Sequence, residues 1–144
     1  MGAQITKDMA RRWKEQFSFT SVSPPSEPII VDFSIEGKAM SLDITDCLSA
    51  ACESIVDGIL VNVKSLISDS NPEYHDAFRQ NIILAGGGSG IRGLGATIEE
   101  RLSDLGEITV HIVEDPVKLG AAGALRLAQE VPEEYWKNLT ISDQ

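Results

Sequence analysis

Apolar residues recur along this chain with two different periods, and each change of period marks a new element. Ile5, Met9 and Trp13 fall on one face of a short helix ending near Phe17, with Lys7, Arg11, Lys14 and Glu15 on the other. Ser21 to Pro28 is rich in serine and proline and cannot continue a helix. Ile29, Val31, Phe33 and Ile35 then alternate, Glu36-Gly37-Lys38 makes a turn, and Ala39 to Ile44 returns as a second strand, so a β-hairpin is expected. From Asp46 to Ser68 the period lengthens to about 3.6 residues. Leu48, Ala51, Ile55, Ile59, Val63 and Leu66 form the predicted stripe of a long helix, with Thr45 or Asp46 as its cap. Asn71-Pro72 ends it, and a short helix from Glu73 to Phe78 leads into the second half.

There the apolar run Ile82 to Ala85 reads as a buried strand that flows straight into Gly86-Gly87-Gly88. Ile91 to Leu105 reads as a helix with Leu94, Ile98 and Leu102 on one stripe. Glycines at such a junction permit positive φ and let another group approach bare backbone. A helix N-terminus beyond them would present free N–H groups and a positive dipole end. The arrangement suits a nucleotide, though a ligand-free strand-to-helix turn accounts for a lone glycine triplet equally well. Gly106 ends the helix, Ile108 to Val113 makes another strand, and Glu114-Asp115-Pro116 closes it. Leu119 to Gln129 is a further helix, whose Gly120-Ala-Ala-Gly123 start is small enough to pack closely on a sheet. Val131 to Trp136 forms a last turn with Pro132 at its first position. Two strands alternating with helices indicate an α/β sheet that is not complete, so the chain reads as a fragment.

Composition narrows the function. A net charge of −10 on 144 residues disfavours nucleic-acid binding, which needs clustered Lys and Arg. The apolar stretch Ile44 to Ile67 is interrupted by Asp46, Glu53, Asp57 and Lys64, so direct membrane insertion is not expected. With no visible signal peptide, the expected compartment is the cytoplasm. Cys47 and Cys52 have no metal-ligand or redox spacing and read as reduced helix residues, and in that compartment the Asn138-Leu-Thr140 sequon is irrelevant. His75 and His111 lack partners for nucleophilic or metal chemistry, so no catalytic or metal-ligating residue is assigned.

The sequence resembles the C-terminal portion of an actin-like ATPase, in the order strand, triple glycine, helix, strand, Glu-Asp-Pro, glycine-bearing helix. Trp13-Lys-Glu-Gln-Phe-Ser-Phe19, Ala50-Ala-Cys-Glu-Ser54, Leu84-Ala-Gly-Gly-Gly-Ser89, Gly123-Ala-Leu-Arg-Leu-Ala128 and Tyr135-Trp136 carry the resemblance. It extends over nearly the whole chain and is strongest toward bacterial homologues that shape cells and build filaments alongside magnetosomes. It implies an α/β, ribonuclease H-like second domain, in part: a small outer lobe over residues 1–70 and the C-terminal half of a large nucleotide-binding lobe over 71–144. It further implies that Gly86, Gly87 and Gly88 lie along the adenosine and α-phosphate of ATP or ADP, with Ser89, Gly90 and Ile91 beside the adenine. Lys14 and Glu15 would reach base and ribose from the other side; without the family they read as a solvated helix face. Self-association into filaments and contact with magnetosome-associated connector proteins follow as expected partners.

The family's two phosphate-binding Asp-x-Gly-type loops and its Mg²⁺-holding carboxylate do not occur in these residues. Hydrolysis by this chain alone is therefore not expected, since phosphoryl transfer depends on those parts. Two other readings compete. Gly88-Ser-Gly90-Ile-Arg-Gly93 fits a dinucleotide-binding GxGxxG, with Glu114 or Asp115 for a ribose, but too little chain follows for a Rossmann sheet. The other is a purely structural module making filament contacts.

Overall fold

The computed structural model describes residues 5–35, 37–116 and 118–136, which leaves Glu36 of the hairpin turn and the sequon outside the described residues. Helix α1 spans Lys7–Phe17, and Thr6 caps it by accepting from the Met9 amide. Strands β1 (Ile30–Ile35) and β2 (Lys38–Asp43) pair antiparallel, with Val31 opposite Leu42 and Phe33 opposite Met40. Helix α2 follows at Thr45–Ser68. Asn71 then accepts from the Glu73 amide and Pro72 opens a 3-10 turn, before α3 (His75–Arg79). Strand β3 (Ile82–Leu84) leads through a 3-10 turn at Gly87–Gly90 into α4 (Leu94–Arg101), which crosses over to β4 (Val110–Ile112). β3 and β4 are parallel, with Ile82 opposite Val110 and Leu84 opposite Ile112. Helices α5 (Leu119–Glu130) and α6 (Glu133–Trp136) complete the described chain.

One core joins the two halves. Phe19, Ile29, Val31, Ile44, Leu48, Cys52 and Val56 meet Ile91, Leu94, Ile98 and Leu102, so α2 and α4 face each other across buried aliphatic side chains. α4 also lies close on β4: a side chain at Gly95 would stand 3.4 Å from Ile112 and 3.5 Å from Val110. Polar ties cross the same seam. Glu53 of α2 accepts from the Ser21 amide at 3.0 Å and pairs with Arg101 of α4, which also reaches Asp57 at 3.1 Å. Among the described residues no helix is long and apolar enough to cross a membrane, and both cysteines are free on α2, Cys47 exposed and Cys52 buried.

Several expectations from the sequence need correction. The buried stripe of α2 is Leu48, Cys52, Val56 and Ile67, while Ala51, Ile55 and Leu66 are exposed. The helix is apolar almost all round from Ile55 to Val63, so its period could not choose a face, and the position of α4 does. Second, Thr45 and Asp46 are helical rather than capping. The Thr45 hydroxyl donates to Asp43 at 2.6 Å and accepts from the Ile29 amide at 2.7 Å, while Asp43 also takes the Thr45 amide at 2.9 Å. The hydroxyl, then the amide, hold the Asp43 carboxyl below its ordinary pKa. Third, the predicted helix from Ile91 to Leu105 is shorter at both ends. Arg92 is extended in a bridge to Phe19, Gly93 has φ of 82°, and a 3-10 turn occupies Ser103–Leu105. Fourth, α5 buries none of its residues, and a Cβ at Gly120 or Gly123 would meet nothing within 4 Å, so this helix does not pack on the sheet. The two-stranded sheet has its β4 flank taken by α4, and β3 is not the buried strand expected from Ile82 to Ala85, because Ile83 faces away from the core and is 64% exposed.

Candidate functional site

Two backbone hydrogen bonds bring the first helix to the glycine turn. The Arg92 amide donates to the Ser18 carbonyl at 3.1 Å, and the Thr20 amide donates to the Arg92 carbonyl at 2.9 Å. Beneath this bridge Thr20 and Thr97 are fully buried, and the Thr97 hydroxyl donates to that of Thr20 at 2.7 Å. Arg92 closes the outside, with its Nε donating to the Ser23 carbonyl at 3.1 Å and its guanidinium carbon 5.9 Å from the Phe19 ring centre. α1 itself buries no residue; its other anchor is Trp13, edge-on to Phe33 of the hairpin at 5.8 Å.

The glycine turn is held by its own atoms. Gly86, with φ of 82°, donates its amide to Pro116 at 3.0 Å, while its carbonyl accepts the Ser89 amide at 3.1 Å and the Ser89 hydroxyl at 2.8 Å. Ser89 is thereby turned inward. Gly87, Gly88 and Gly90 differ in kind. None has positive φ, and a Cβ on any of them would meet nothing within 4 Å.

An open groove of about 430 Å³ runs between α1 and this turn, lined by Arg11, Lys14, Glu15 and Ser18, by Ile55 of α2, and by Gly87, Gly88, Gly90 and Ile91. Six of the eight residues singled out from the sequence share it: Lys14, Glu15, Gly87, Gly88, Gly90 and Ile91. Gly86 and Ser89 do not line it. Ser89 instead borders a cavity of about 130 Å³ behind the turn, with Ile55, Leu84 and Leu94. Arg11, Ser18 and Ile55 were missed. Arg11 and Ser18 were findable, because they lie one helical turn from Lys14 and Glu15 on the same face. Ile55 had been assigned to the core.

The helix N-terminus expected just past the glycines does not open into the groove. α4 begins only at Leu94, whose amide is bonded to Ile91, and the third glycine of the GxGxxG pattern, Gly93, is packed on Thr20 and Ser23. Asp115, one of the two ribose ligands open to the dinucleotide reading, is paired with Lys118 at 2.8 Å. Charge in the groove comes instead from α1: Lys14, and Arg11 with its Nε 3.0 Å from Glu15. A second cavity, about 390 Å³ between the end of α2 and β3, is walled by Val63, Leu66, Ile67, Phe78 and the strand, with Asn81 as its polar side chain. It offers no charge to orient a ligand, and the glycine groove does.

The sequence profile of the Salactin family matches residues 2–132. The chain is 41% identical over 136 residues to the actin-like protein MamK of Paramagnetospirillum magneticum and 40% identical over 136 residues to that of Magnetospirillum gryphiswaldense. These alignments cover 94% of this chain but 39% and 37% of those proteins. Among solved structures, a MamK double helical filament is matched with a TM-score of 0.81 at 40% identity, over 90% of this chain and 39% of that one. A non-polymerising MamK mutant bound to AMPPNP is matched with a TM-score of 0.76 at 41% identity, over 88% and 38%. The fold is thus part of the actin-like fold, and the chain spans about two-fifths of the length of these relatives.

Proposed function

The chain belongs to the Salactin family, and from that premise we propose that it is part of a bacterial actin-like cytoskeletal protein, in which it supplies the adenosine side of an ATP pocket. The observation that carries this reading is the character of Gly87, Gly88 and Gly90. Neither backbone conformation nor neighbouring atoms require glycine there, yet all three face Lys14 and Glu15 across the groove. Side chains are missing where a flat ligand would lie. A purine fits against bare peptide planes, the aliphatic stem of Lys14 covers the base, and the Glu15 carboxylate accepts from a ribose hydroxyl. A MamK relative that binds AMPPNP supports the choice of nucleotide.

Bound ATP supplies the free energy that biases subunits toward polymer, and its hydrolysis reverses that bias. This chain's residues hold and orient the nucleoside; phosphate loops and the Mg²⁺ site belong to walls that these residues do not supply. Residues 1–70 act as an outer lobe and 71–144 as half of the nucleotide lobe, with the groove where α1 of the first meets the glycine turn of the second. Assembly into filaments is supported by the MamK filament that this chain matches; a place alongside magnetosomes and contact with connector proteins extend the resemblance read from the sequence. Amide chemical shifts during titration with ATP test the pocket: Gly87, Gly88, Gly90 and Lys14 are expected to move, and Gly87→Val to reduce affinity at least about tenfold while the fold is kept. Shifts confined to other residues, or unchanged affinity in Gly87→Val, would refute the assignment.

A further inference from the structure

The Arg11–Glu15 pair sets a property of the groove that the glycines do not. Arg11 precedes Glu15 by one helical turn, so both side chains stand on the groove face of α1. Arg11 Nε donates to Glu15 Oε1 at 3.0 Å, the one hydrogen bond recorded to that carboxylate among the described residues, and Oε2 is left to accept elsewhere. A glutamate free on an exposed helix samples several rotamers; one held by a guanidinium samples fewer and presents its second oxygen over a narrower range of directions. Resting on the proposed nucleotide site, we infer that Arg11 is a positioning residue, acting through Glu15 to make the groove selective for a nucleoside that keeps one of its two ribose hydroxyls, the one that Glu15 accepts from. Ser18, the residue that follows α1 in the groove, has its hydroxyl proton taken by the Lys14 carbonyl. A carboxylate accepting from one hydroxyl favours the ribonucleotide by about tenfold or more over an analogue lacking it, because the deoxy sugar leaves the acceptor unpaired.

The test is titration of the chain with ATP, 2′-deoxy-ATP and 3′-deoxy-ATP, followed by amide shifts at Gly87 and Gly88, for the natural sequence, Arg11→Met and Arg11→Lys. Arg11 is largely exposed, and its loss leaves the fold intact. The natural chain is expected to prefer ATP to one deoxy analogue by about tenfold. Arg11→Met is expected to bring that preference below about threefold by weakening ATP alone, and Arg11→Lys to restore part of it. Equal weakening of all three nucleotides in Arg11→Met, or an unchanged preference, would overturn the role of Arg11 and leave the nucleotide site standing. Failure of every nucleotide to shift Gly87 and Gly88 in the natural chain would overturn both.

Discussion

Gly93 and Gly87 lie in one glycine-rich run but answer to different constraints. Gly93 has φ of 82°, and a Cβ there would fall 2.6 Å from the Thr20 hydroxyl and 2.8 Å from Ser23. Gly93→Ala is therefore expected to lose at least about 2 kcal/mol in urea unfolding, from left-handed strain plus overpacking. Gly87→Ala, in open space without positive φ, is expected to stay within about 0.5 kcal/mol of the natural chain. Equal losses would mean that both glycines serve the fold. Glu53 carries a pH prediction. The Ser21 amide first, and Arg101 after it, hold its carboxyl below the ordinary glutamate range, against some desolvation. A depressed folded value means stabilisation fully present above the unfolded pKa, about 4.3, and lost as pH falls through the folded one. Glu53→Gln is expected to be less stable by about 1 kcal/mol at neutral pH, after allowing for solvent screening of the pair. That gap closes as pH falls through the folded value. A gap as wide at low pH would show that charge is not its source.

At the level of elements, α2 shows how a long apolar helix hides its own orientation. Ile55 and Val56 are neighbours, yet Val56 is wholly buried under α4 whereas Ile55 is 44% exposed at the groove. Val56→Ala is expected to cost about 2 kcal/mol and Ile55→Ala less than about 1 kcal/mol, although isoleucine loses the larger volume. The opposite order in chemical denaturation would restore the stripe read from periodicity. α4 was easier to read, because Leu94, Ile98 and Leu102 form its only continuous apolar row and all three are buried. Its start was not readable, since the Phe19–Arg92 bridge that keeps Arg92 extended joins residues far apart in sequence.

For the molecule as a whole, the seam between α2 and α4 is the stable centre and α5 the periphery. Ile98, Leu102 and Val56 are shut away from solvent, whereas Leu125 and Leu127 of α5 stand in the open. Amides of α4 are expected to exchange with deuterium at least about a hundredfold more slowly than those of α5 in the monomeric chain. Comparable protection would mean that α5 is docked. The same centre carries the groove: α1 has no fully buried residue and reaches the core only through half-buried Trp13 and Phe17, and the bridge at Arg92 fixes its C-terminal end beside the glycines.

The resemblance to actin-like proteins singled out Lys14 and Glu15, whereas local signals were enough for the order of elements, the hairpin, the crossover pair of strands and the glycine turn. Those features depend on period, turn chemistry and side-chain type within a few residues. Long-range pairing settled the rest: which side of α2 is inside, where α4 begins, that Ile55 turns out, and that α1 meets the glycines at all. Each of those outcomes rests on a hydrogen bond or a packed surface contributed by residues distant in the chain, and no local period encodes such a partner.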